Sequence, residues 1–213
     1  SNCWKDYRKF IVDMKYIRED GVEIPIAYSA IDARHSTEAV FSFCNMVDSQ
    51  HRFLFPIYGQ DNLKDPISAL KIRKIPNTNE SRMYHLVGVS RLKGELYNNF
   101  RLPYDSESPG ICMFPCDYEE EFFKQLTAEV YVPNNTRGRL GTWKVIHTRN
   151  EGLDMRVYAT AMWYYSGVPG WTENDYALHE EKLNKMALGL DKKTVAAKVY
   201  YGRQTFKSNL NLF

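Results

Sequence analysis

The chain has 213 residues, 44% hydrophobic and 14% aromatic, which is long and apolar enough to bury a sizeable core. Charged residues make up 25%, as in a typical soluble protein, and the net charge of +2 is too small to indicate nucleic-acid binding by itself. The sequence contains no run of about 18 apolar residues, so no transmembrane helix is expected. Its polar first residues do not resemble a signal peptide. The chain opens without Met inside a helical pattern, which predicts a fragment of a larger protein.

Apolar periodicity divides the first part of the chain into alternating elements. We predict a helix over residues 4–17, a turn at 19–21, a strand over 22–31, a helix over 39–47 and a strand over 53–58. Pro25 in the first strand indicates an edge position or a bulge. This strand ends at Asp32, so that carboxylate is expected at the end of a sheet strand.

The rest of the chain continues the alternation after a long polar segment. Residues 59–81 are polar and basic, contain Pro66 and Pro76, and predict a long loop. Next come predicted strands over 83–89 and 111–114, helices over 91–100 and 118–126, extended segments at 128–132 and 143–146, a turn-rich loop at 134–141, and helices over 150–165 and 173–187. Strands alternating with helices predict an α/β fold with a mixed sheet.

Two small sequence features each leave an alternative open. Cys112 and Cys116 form a lone C-x-x-x-C, but a zinc site normally needs four ligands, so buried thiols of a cytoplasmic protein explain the cysteines better. The basic clusters at residues 71–74 and 137–139 are candidates for DNA contact, and solvated loops are the alternative.

Three acidic residues are candidates for chemistry. Asp32 at a strand end faces the open edge of a sheet, although a turn or helix-capping aspartate is the alternative. Asp154 lies beside the apolar stripe formed by Val157 and Tyr158, where a carboxylate is costly to bury unless it is paired or binds a cation. Glu151 lies one turn earlier. Glu151 and Asp154 could ligate a metal, or they could stabilise the positive end of the helix dipole.

Six short motifs in one order resemble the large terminase subunits of the lambda type. They are Ile31-Asp32; Phe55-Pro56-Ile57-Tyr58-Gly59; Gly88-Val89-Ser90-(x2)-Lys93-(x2)-Leu96-Tyr97-Asn98-Asn99-Phe100; Pro109-Gly110-(x3)-Phe114-Pro115; Gln125-Leu126-Thr127-Ala128-Glu129; and Trp143-(x5)-Arg149-Asn150-Glu151-Gly152-Leu153-Asp154 followed by Val157-Tyr158-Ala159. The resemblance covers about residues 20 to 166.

This resemblance implies a fold, a function and partners. The fold is a ribonuclease H-like mixed sheet flanked by helices, and the activity is cleavage of concatemeric double-stranded DNA during phage genome packaging. The implied domains are an N-terminal helix or linker from a preceding ATPase domain (1–20), the nuclease domain (21–170) and a C-terminal helical extension (171–213). The implied partners are double-stranded DNA, the terminase small subunit and the portal, with no membrane, in the cytoplasm of an infected or lysogenic bacterial host.

The resemblance also implies a metal-dependent site. In such nucleases carboxylates hold two divalent ions, and oxygen ligands favour Mg²⁺ or Mn²⁺ over zinc. Carried over onto this chain, Asp32 is the bridging ligand and Asp154 the ligand from the last helix, with Glu151 nearby. Lys93 matches a family lysine that could hold the scissile phosphate, and a surface lysine with a packed stem is the alternative.

Ser90 departs from the family pattern, because it stands at the metal-ligand position where the family carries Asp. Three explanations stay open: a shifted alignment, a second ion that binds only with DNA present, or attenuated cleavage. Asp61 and Glu95 are candidate substitutes, although neither is at the matching position. His35, after the first strand, could orient a water or contact phosphate, or it could be a polar loop residue.

Three functions are therefore weighed. The first is a DNA endonuclease, in which His147 and Arg149 could contact the DNA backbone and make binding salt-dependent. The second is a catalytically attenuated module that binds DNA or the portal. The third is another ribonuclease H-like enzyme, such as a resolvase or transposase, against which segment 149–154 argues. No Gly-rich phosphate loop is present, so ATP hydrolysis is not expected.

Overall fold

The structure is a computed structural model that describes residues 3–51, 53–75, 80–103, 110–134, 136 and 141–188. Its helices are α1 (Cys3–Asp13), α2 (Thr37–His51), α3 (Val89–Asn99), α4 (Glu120–Leu126), α5 (Glu151–Tyr165) and α6 (Glu173–Ala187). Its strands are β1 (Lys15–Ile17), β2 (Glu23–Pro25), β3 (Ser29–Asp32), β4 (Leu54–Gln60), β5 (Lys71–Lys74), β6 (Ser81–Gly88), β7 (Glu129–Val132) and β8 (Thr142–Val145). Two compact units result: a large unit with α1 and everything from β3 to α5, and a small unit with β1, β2 and α6.

The large unit is built around a four-stranded mixed sheet with the order β3-β4-β6-β5. The first three strands in this order are parallel, and β5 is antiparallel to β6 at the edge. Helix α2 connects β3 to β4, as a parallel pair requires. Because these strands are parallel, their carboxyl ends point to one edge of the sheet; β4 and β6 end together at the Gln60–Gly88 pair, and β3 ends at Asp32, opposite Ile57.

Helices cover both faces of this sheet. On β4, Leu54 belongs to a core cluster with α1 and α2, whereas Phe55 and Ile57 belong to a cluster with α3, α4 and α5. Strand side chains alternate between faces, so one strand contributes to both cores. Burying one leucine such as Leu153, which is 0% exposed, contributes about 1.5–3 kcal/mol. The predicted α/β class, a mixed sheet flanked by helices, is confirmed.

The N-terminal segments differ from the prediction in two places. Residues 15–17 were predicted to extend the first helix, but they form β1, which pairs with β2. The predicted strand over 22–31 is two strands, because Pro25 has no N–H to continue the pairing of β2. Apolar residues at 16 and 17 suit a helix and a strand equally, and the turn with Gly21 at φ 84° selects the hairpin. The predicted domain bounds at 20 and 170 stay a prediction.

Two predicted segments of the large unit also need correction. The long loop predicted over 59–81 contains β5, whose four residues are all exposed and show no apolar alternation. Its stability comes from backbone pairing with β6, which sequence periodicity does not reveal. The strand predicted over 111–114 is not a strand, since Cys112 and Phe114 pack against the helical core as a loop. The predicted loop at 134–141 lies mostly outside the described residues.

Helix α6 and the β1–β2 hairpin form the small unit. Arg18 donates hydrogen bonds to Asp20 and to the Asn184 side chain, the latter at 2.8 Å. The predicted helix over 173–187 is confirmed. None of the helices in the described part of the chain is both long and apolar enough to cross a membrane. Of the cysteines, Cys44 is buried whereas Cys3 and Cys116 are exposed, so the expectation of buried thiols is right only in part.

Candidate active site

Polar side chains gather where the three parallel strands end. Asp32 is the last residue of β3, Asp61 follows β4, and Ser90 lies in the first turn of α3, directly after β6. The Ser90 hydroxyl donates to Asp61 Oδ1 at 3.2 Å. Asp61, one of the two substitutes considered for the missing aspartate, therefore lies at the same edge as Asp32.

Helix α5 brings a second carboxylate to this edge. The Tyr158 hydroxyl donates to Asp32 Oδ2 at 2.9 Å, and Asp154 lies one turn before Tyr158 on the same face of α5. Val157 is buried at 1% exposure and anchors the helix on the sheet. Asp32 and Asp154 are 122 positions apart in the sequence, by subtraction of their numbers, yet the fold places them in one electrostatic neighbourhood.

The acidic groups at this edge influence one another electrostatically. Burial raises the pKa of the Asp154 carboxyl, Lys93 opposes the shift, and the negative charges of Glu129, Asp32 and Glu151 raise it further. Burial and the neighbouring carboxylates, Asp32 first, raise the pKa of Tyr158 as well. A tyrosine with a raised pKa keeps its proton, so Tyr158 donates a hydrogen bond to Asp32 rather than competing with it as an anion.

Gly59 and Arg34 shape the space around Asp32. A Cβ atom at Gly59 would lie 2.9 Å from Val89 and 3.3 Å from the Tyr158 hydroxyl, so the missing side chain lets α5 approach β4. The Arg34 guanidinium donates to the Gly59 carbonyl oxygen at 2.5 Å, and the backbone N–H of Arg34 donates to Asp32 Oδ1 at 2.8 Å. Asp32 thus accepts hydrogen bonds on both oxygens, which fixes its orientation.

Lys93 is buried beside these carboxylates. Its Nζ lies 2.7 and 2.8 Å from the two carboxylate oxygens of Glu129, and 3.9 Å from Asp154 Oδ1. Lys93 is 8% exposed and Glu129 5%, so the alternative of a surface lysine is wrong. The Asn150 amide donates to Glu129 Oε1 at 3.1 Å. Each buried charge is therefore paired, as burial requires.

Glu129 was not identified from the sequence as a site residue. The sequence offered one indication: Glu129 directly follows Ala128 and lies three residues after Leu126, and both of these apolar residues are buried. The motif that contains Glu129 was quoted only for its family resemblance. A carboxylate at the start of an extended segment is ordinarily exposed, and only the packing of β7 against α3 buries it. Tyr97 of α3 secures this position by donating to the Glu129 carbonyl oxygen at 2.5 Å.

Other sequence candidates lie away from the carboxylate pair or are paired elsewhere. Glu151 is 59% exposed in its side chain and lies 3.5 Å from Arg149, which is also 3.7 Å from Glu121. Arg149 is therefore partly neutralised by acids. Glu95, the second candidate substitute, accepts hydrogen bonds from the Tyr164 hydroxyl at 3.0 and 2.9 Å instead of reaching the site. His35 and His147 are exposed.

The edge strand β5 carries the exposed basic cluster. Within the described part of the chain, none of the cations Lys71, Arg73 and Lys74 forms an ion pair. Arg73 lies directly opposite Arg82 in the register, and like charges in such a position destabilise a strand pair. Arg82 is paired with Glu38, whereas the charge of Arg73 stays available for an anion. The second basic cluster, at 137–139, lies outside the described residues.

The carboxylates at this edge are hard oxygen donors, the kind that Mg²⁺ and Mn²⁺ prefer. In the described segments, no group of three or more His, Cys, Asp or Glu side chains has the spacing to hold a metal ion. Asp32 and Asp154 supply two partly buried carboxylates, and Glu129 is engaged by Lys93. Mg²⁺ keeps several waters and is commonly bound through one or two carboxylates together with substrate phosphates. Asp32 and Asp154 therefore have the donor chemistry for such an ion.

A known protein family matches most of the chain. The family model described as terminase large subunit gpA, endonuclease domain, matches residues 2–176, which is more than half of the chain. No curated protein and no solved structure matches. The order and class of the elements, with a mixed sheet between helices, are consistent with a ribonuclease H-like nuclease fold.

Proposed function

This chain belongs to the family of terminase large subunit gpA endonuclease domains, and from that premise we propose that it is a metal-dependent endonuclease. Its substrate would be concatemeric double-stranded DNA during phage genome packaging, in the cytoplasm of the infected or lysogenic bacterial host. The observation that supports the proposal is that Asp154 lies one turn before Tyr158, whose hydroxyl donates to Asp32, and that the charge of Asp32 raises the pKa of Asp154. The terminase small subunit and the portal would be partners of the whole terminase.

Asp32 and Asp154 are the residues that would hold a Mg²⁺ or Mn²⁺ ion. Such an ion supplies Lewis acidity at the scissile phosphate and lowers the pKa of a bound water. The chain's own contribution is orientation: Tyr158 and the backbone N–H of Arg34 hold Asp32, and the fold of α5 holds Asp154. Burial first, and then the charges of the neighbouring carboxylates, raise the pKa of Asp154, and a bound cation would favour its ionised form because unneutralised carboxylates repel one another.

Strand β5 supports a double-stranded DNA substrate. Lys71 pairs with Tyr84, next to His85, which is level with Ile57 and through it with Asp32, so three strand spacings place Lys71 about 14 Å from Asp32 across the sheet. Phosphates on one DNA strand are about 3.4 Å apart along the axis, so this separation corresponds to about four phosphates. Exposed cations at this distance could contact the backbone of a duplex whose scissile phosphate lies at Asp32.

A second candidate function is a catalytically attenuated module that binds DNA or the portal. It is favoured by Ser90, which hydrogen-bonds Asp61 where the family resemblance expects a carboxylate ligand. The two candidates share the fold and the basic strand, and they differ in whether the phosphodiester bond is cut.

Nicking of supercoiled plasmid separates these functions. We expect Mn²⁺- and Mg²⁺-dependent nicking that is lost with chelator and in Asp32→Asn, while DNA retention in a gel-shift assay is kept. Asp13→Asn, at an exposed aspartate that ends α1, is the matched control and should nick like the unsubstituted chain. DNA retention without nicking by the unsubstituted chain would favour the attenuated module, and nicking that survives Asp32→Asn would contradict the assigned site.

A further inference from the structure

The loop between β3 and α2 places an exposed arginine beside Asp32. Arg34 follows Asp32 by two residues, and α2 begins at Thr37. Both ends of this loop are fixed, since the backbone N–H of Arg34 donates to Asp32 Oδ1 at 2.8 Å and the Thr37 hydroxyl donates to the Ala33 carbonyl oxygen at 2.7 Å. The backbone of Arg34 is therefore attached to the carboxylate that ends β3.

The guanidinium group of Arg34 lies at the end of the neighbouring strand, β4. Its Nη2 donates to the Gly59 carbonyl oxygen at 2.5 Å. A Cβ atom at Gly59 would lie 3.9 Å from this Nη2 and 3.3 Å from the Tyr158 hydroxyl oxygen, so the sum of these distances is the largest possible separation of the two groups. Tyr158 in turn donates to Asp32 Oδ2 at 2.9 Å. The positive charge thus lies at the same edge of the sheet as Asp32.

This charge is not neutralised by an acid of the described part of the chain. Three other arginines there form ion pairs with carboxylates: Arg18, Arg82 and Arg149. Among the same residues, no carboxylate lies within ion-pair distance of the Arg34 guanidinium. A guanidinium carries five N–H donors, and the bond to Gly59 uses one of them. The remaining donors belong to an exposed group that is already held in place.

The charges around Arg34 explain why such a cation is useful to a DNA-binding site. Asp32, Asp61 and Asp154 lie at or beside the ends of the parallel strands, and their negative charges repel a phosphate that approaches this edge. An arginine offsets this repulsion. Its planar fork of N–H groups also matches a phosphate with two parallel hydrogen bonds, which a lysine cannot reproduce.

We propose that Arg34 binds a DNA phosphate at the Asp32 edge and that, within the proposed endonuclease function on which this inference rests, this phosphate is the one that is cut. The strand order places β3, with Arg34 after it, on the side of the sheet opposite to β5. Lys71 and Arg73 would then contact phosphates farther along the duplex, whereas Arg34 would orient the reacting group.

The salt dependence of duplex binding tests the phosphate contact without any cleavage. Binding is measured by fluorescence anisotropy in the presence of a chelator. Arg34→Gln removes the charge but keeps a donor for Gly59, and it should reduce the slope of log affinity against log salt by about one. Arg34→Lys should keep the slope. Arg101→Gln, at an exposed arginine beyond the far end of α3, is the matched control and should also keep it. An unchanged slope in folded Arg34→Gln would overturn the inference.

Nicking kinetics with Mn²⁺ test whether this phosphate is the reacting one. Arg34→Gln should lower kcat by about a hundredfold, as for loss of a donor to a developing negative charge, and Arg34→Lys should recover part of the loss. Lys71→Gln with Arg73→Gln should raise KM instead. An unchanged kcat in Arg34→Gln would overturn the assignment to the cut phosphate and leave the proposed function intact. If the unsubstituted chain does not nick, the proposed function fails, and the salt slope alone decides whether Arg34 contacts DNA.

Discussion

The N-termini of helices α5 and α6 both carry an aspartate in the first turn, but the two carboxylates have opposite surroundings. Asp175 of α6 accepts hydrogen bonds from the Thr172 N–H at 2.8 Å and from the Thr172 hydroxyl at 2.6 Å, which lower its pKa. The Asp175 N–H contacts the Thr172 hydroxyl in return at 3.4 Å. This reciprocal pattern is a capping box. Among the described residues, Asp154 of α5 has no such capping partner, and its pKa is raised.

The comparison distinguishes Asp175, whose carboxylate stabilises its helix, from Asp154, whose ionised carboxylate is disfavoured by the folded structure. Asp175 completes the end of its helix and needs no other explanation. Asp154 is partly buried beside Glu129 and Asp32, and folding disfavours its ionised form. Perturbed acids of this kind concentrate at functional sites. The contrast therefore supports a functional role for α5 and a structural role for the first turn of α6.

The sharpest test exchanges the two aspartates for alanine. Asp154→Ala is expected to reduce metal-dependent nicking by about a thousandfold, since loss of the proposed metal ligand would remove several kcal/mol of transition-state stabilisation. Its free energy of unfolding should stay the same or rise, because the ionised carboxylate is disfavoured in the fold. Asp175→Ala should do the reverse, with unchanged nicking and a frayed α6. Nicking rates, circular dichroism and hydrogen exchange check both variants, and equal loss of activity in the two would break the comparison.

A core substitution within α5, at the residue before Asp154, gives the second largest effect. Leu153 is 0% exposed, so Leu153→Ala should lower the free energy of unfolding by about 2–5 kcal/mol. Leu178 of α6 is 56% exposed, and Leu178→Ala should change that energy by less than about 0.5 kcal/mol. Denaturant titration measures both. A large effect at Leu178 would show that the small unit buries more of α6 than its exposure indicates.

The edge strand should control DNA affinity without affecting chemistry. Replacing Lys71 and Arg73 by glutamine should weaken duplex binding and reduce the slope of log affinity against log salt, by about one for each phosphate that the variant no longer neutralises. Lys182→Gln, at an exposed lysine of α6, is the control and should leave the slope unchanged. Fluorescence anisotropy at several salt concentrations gives the slopes. Equal slopes for all variants would exclude β5 from the DNA path.

The smallest effect concerns the pH response of the small unit. The Arg18 hydrogen bond lowers the pKa of Asp20 from 3.8 to about 2. A carboxyl group with a lowered folded-state pKa contributes stability above its unfolded pKa and loses it as the pH falls through the folded value. Asp20→Asn should therefore lower the thermal midpoint slightly near neutral pH, and the difference should shrink as the pH falls from about 4 toward about 2. Thermal melts across this range measure it, and a difference that grows at low pH would contradict the assignment.

Helices with strong apolar periodicity could be predicted closely from the sequence. Helix α5 was predicted over 150–165 and is found at Glu151–Tyr165, and α6 was predicted at its observed bounds. Strand β5 could not be predicted, because all four of its residues are exposed and its partner β6 supplies the pairing. Residues 15–17 were assigned to the wrong element since their apolar spacing suits a helix and a strand alike.

The candidate site was predictable only in part. The order of the motifs pointed to Asp32 and Asp154, and the fold brings both to one edge; their metal-binding roles stay a prediction. Glu129 was missed, because the burial of its carboxylate depends on contacts with α3 that no local pattern encodes. Tyr158 was identified as part of the apolar stripe, whereas its hydroxyl faces Asp32.

The class of fold and most helices follow from the amino-acid sequence, because apolar residues recur along it with periods of two and about 3.6 residues. The order of the motifs pointed to Asp32 and Asp154. The burial of Lys93 against Glu129, 36 positions away, and the contact of Ser90 with Asp61 are visible only in the packed molecule. Such pairings depend on which segments pack together. The free energy of a charged side chain depends on the distant segments that remove it from water and supply its partner.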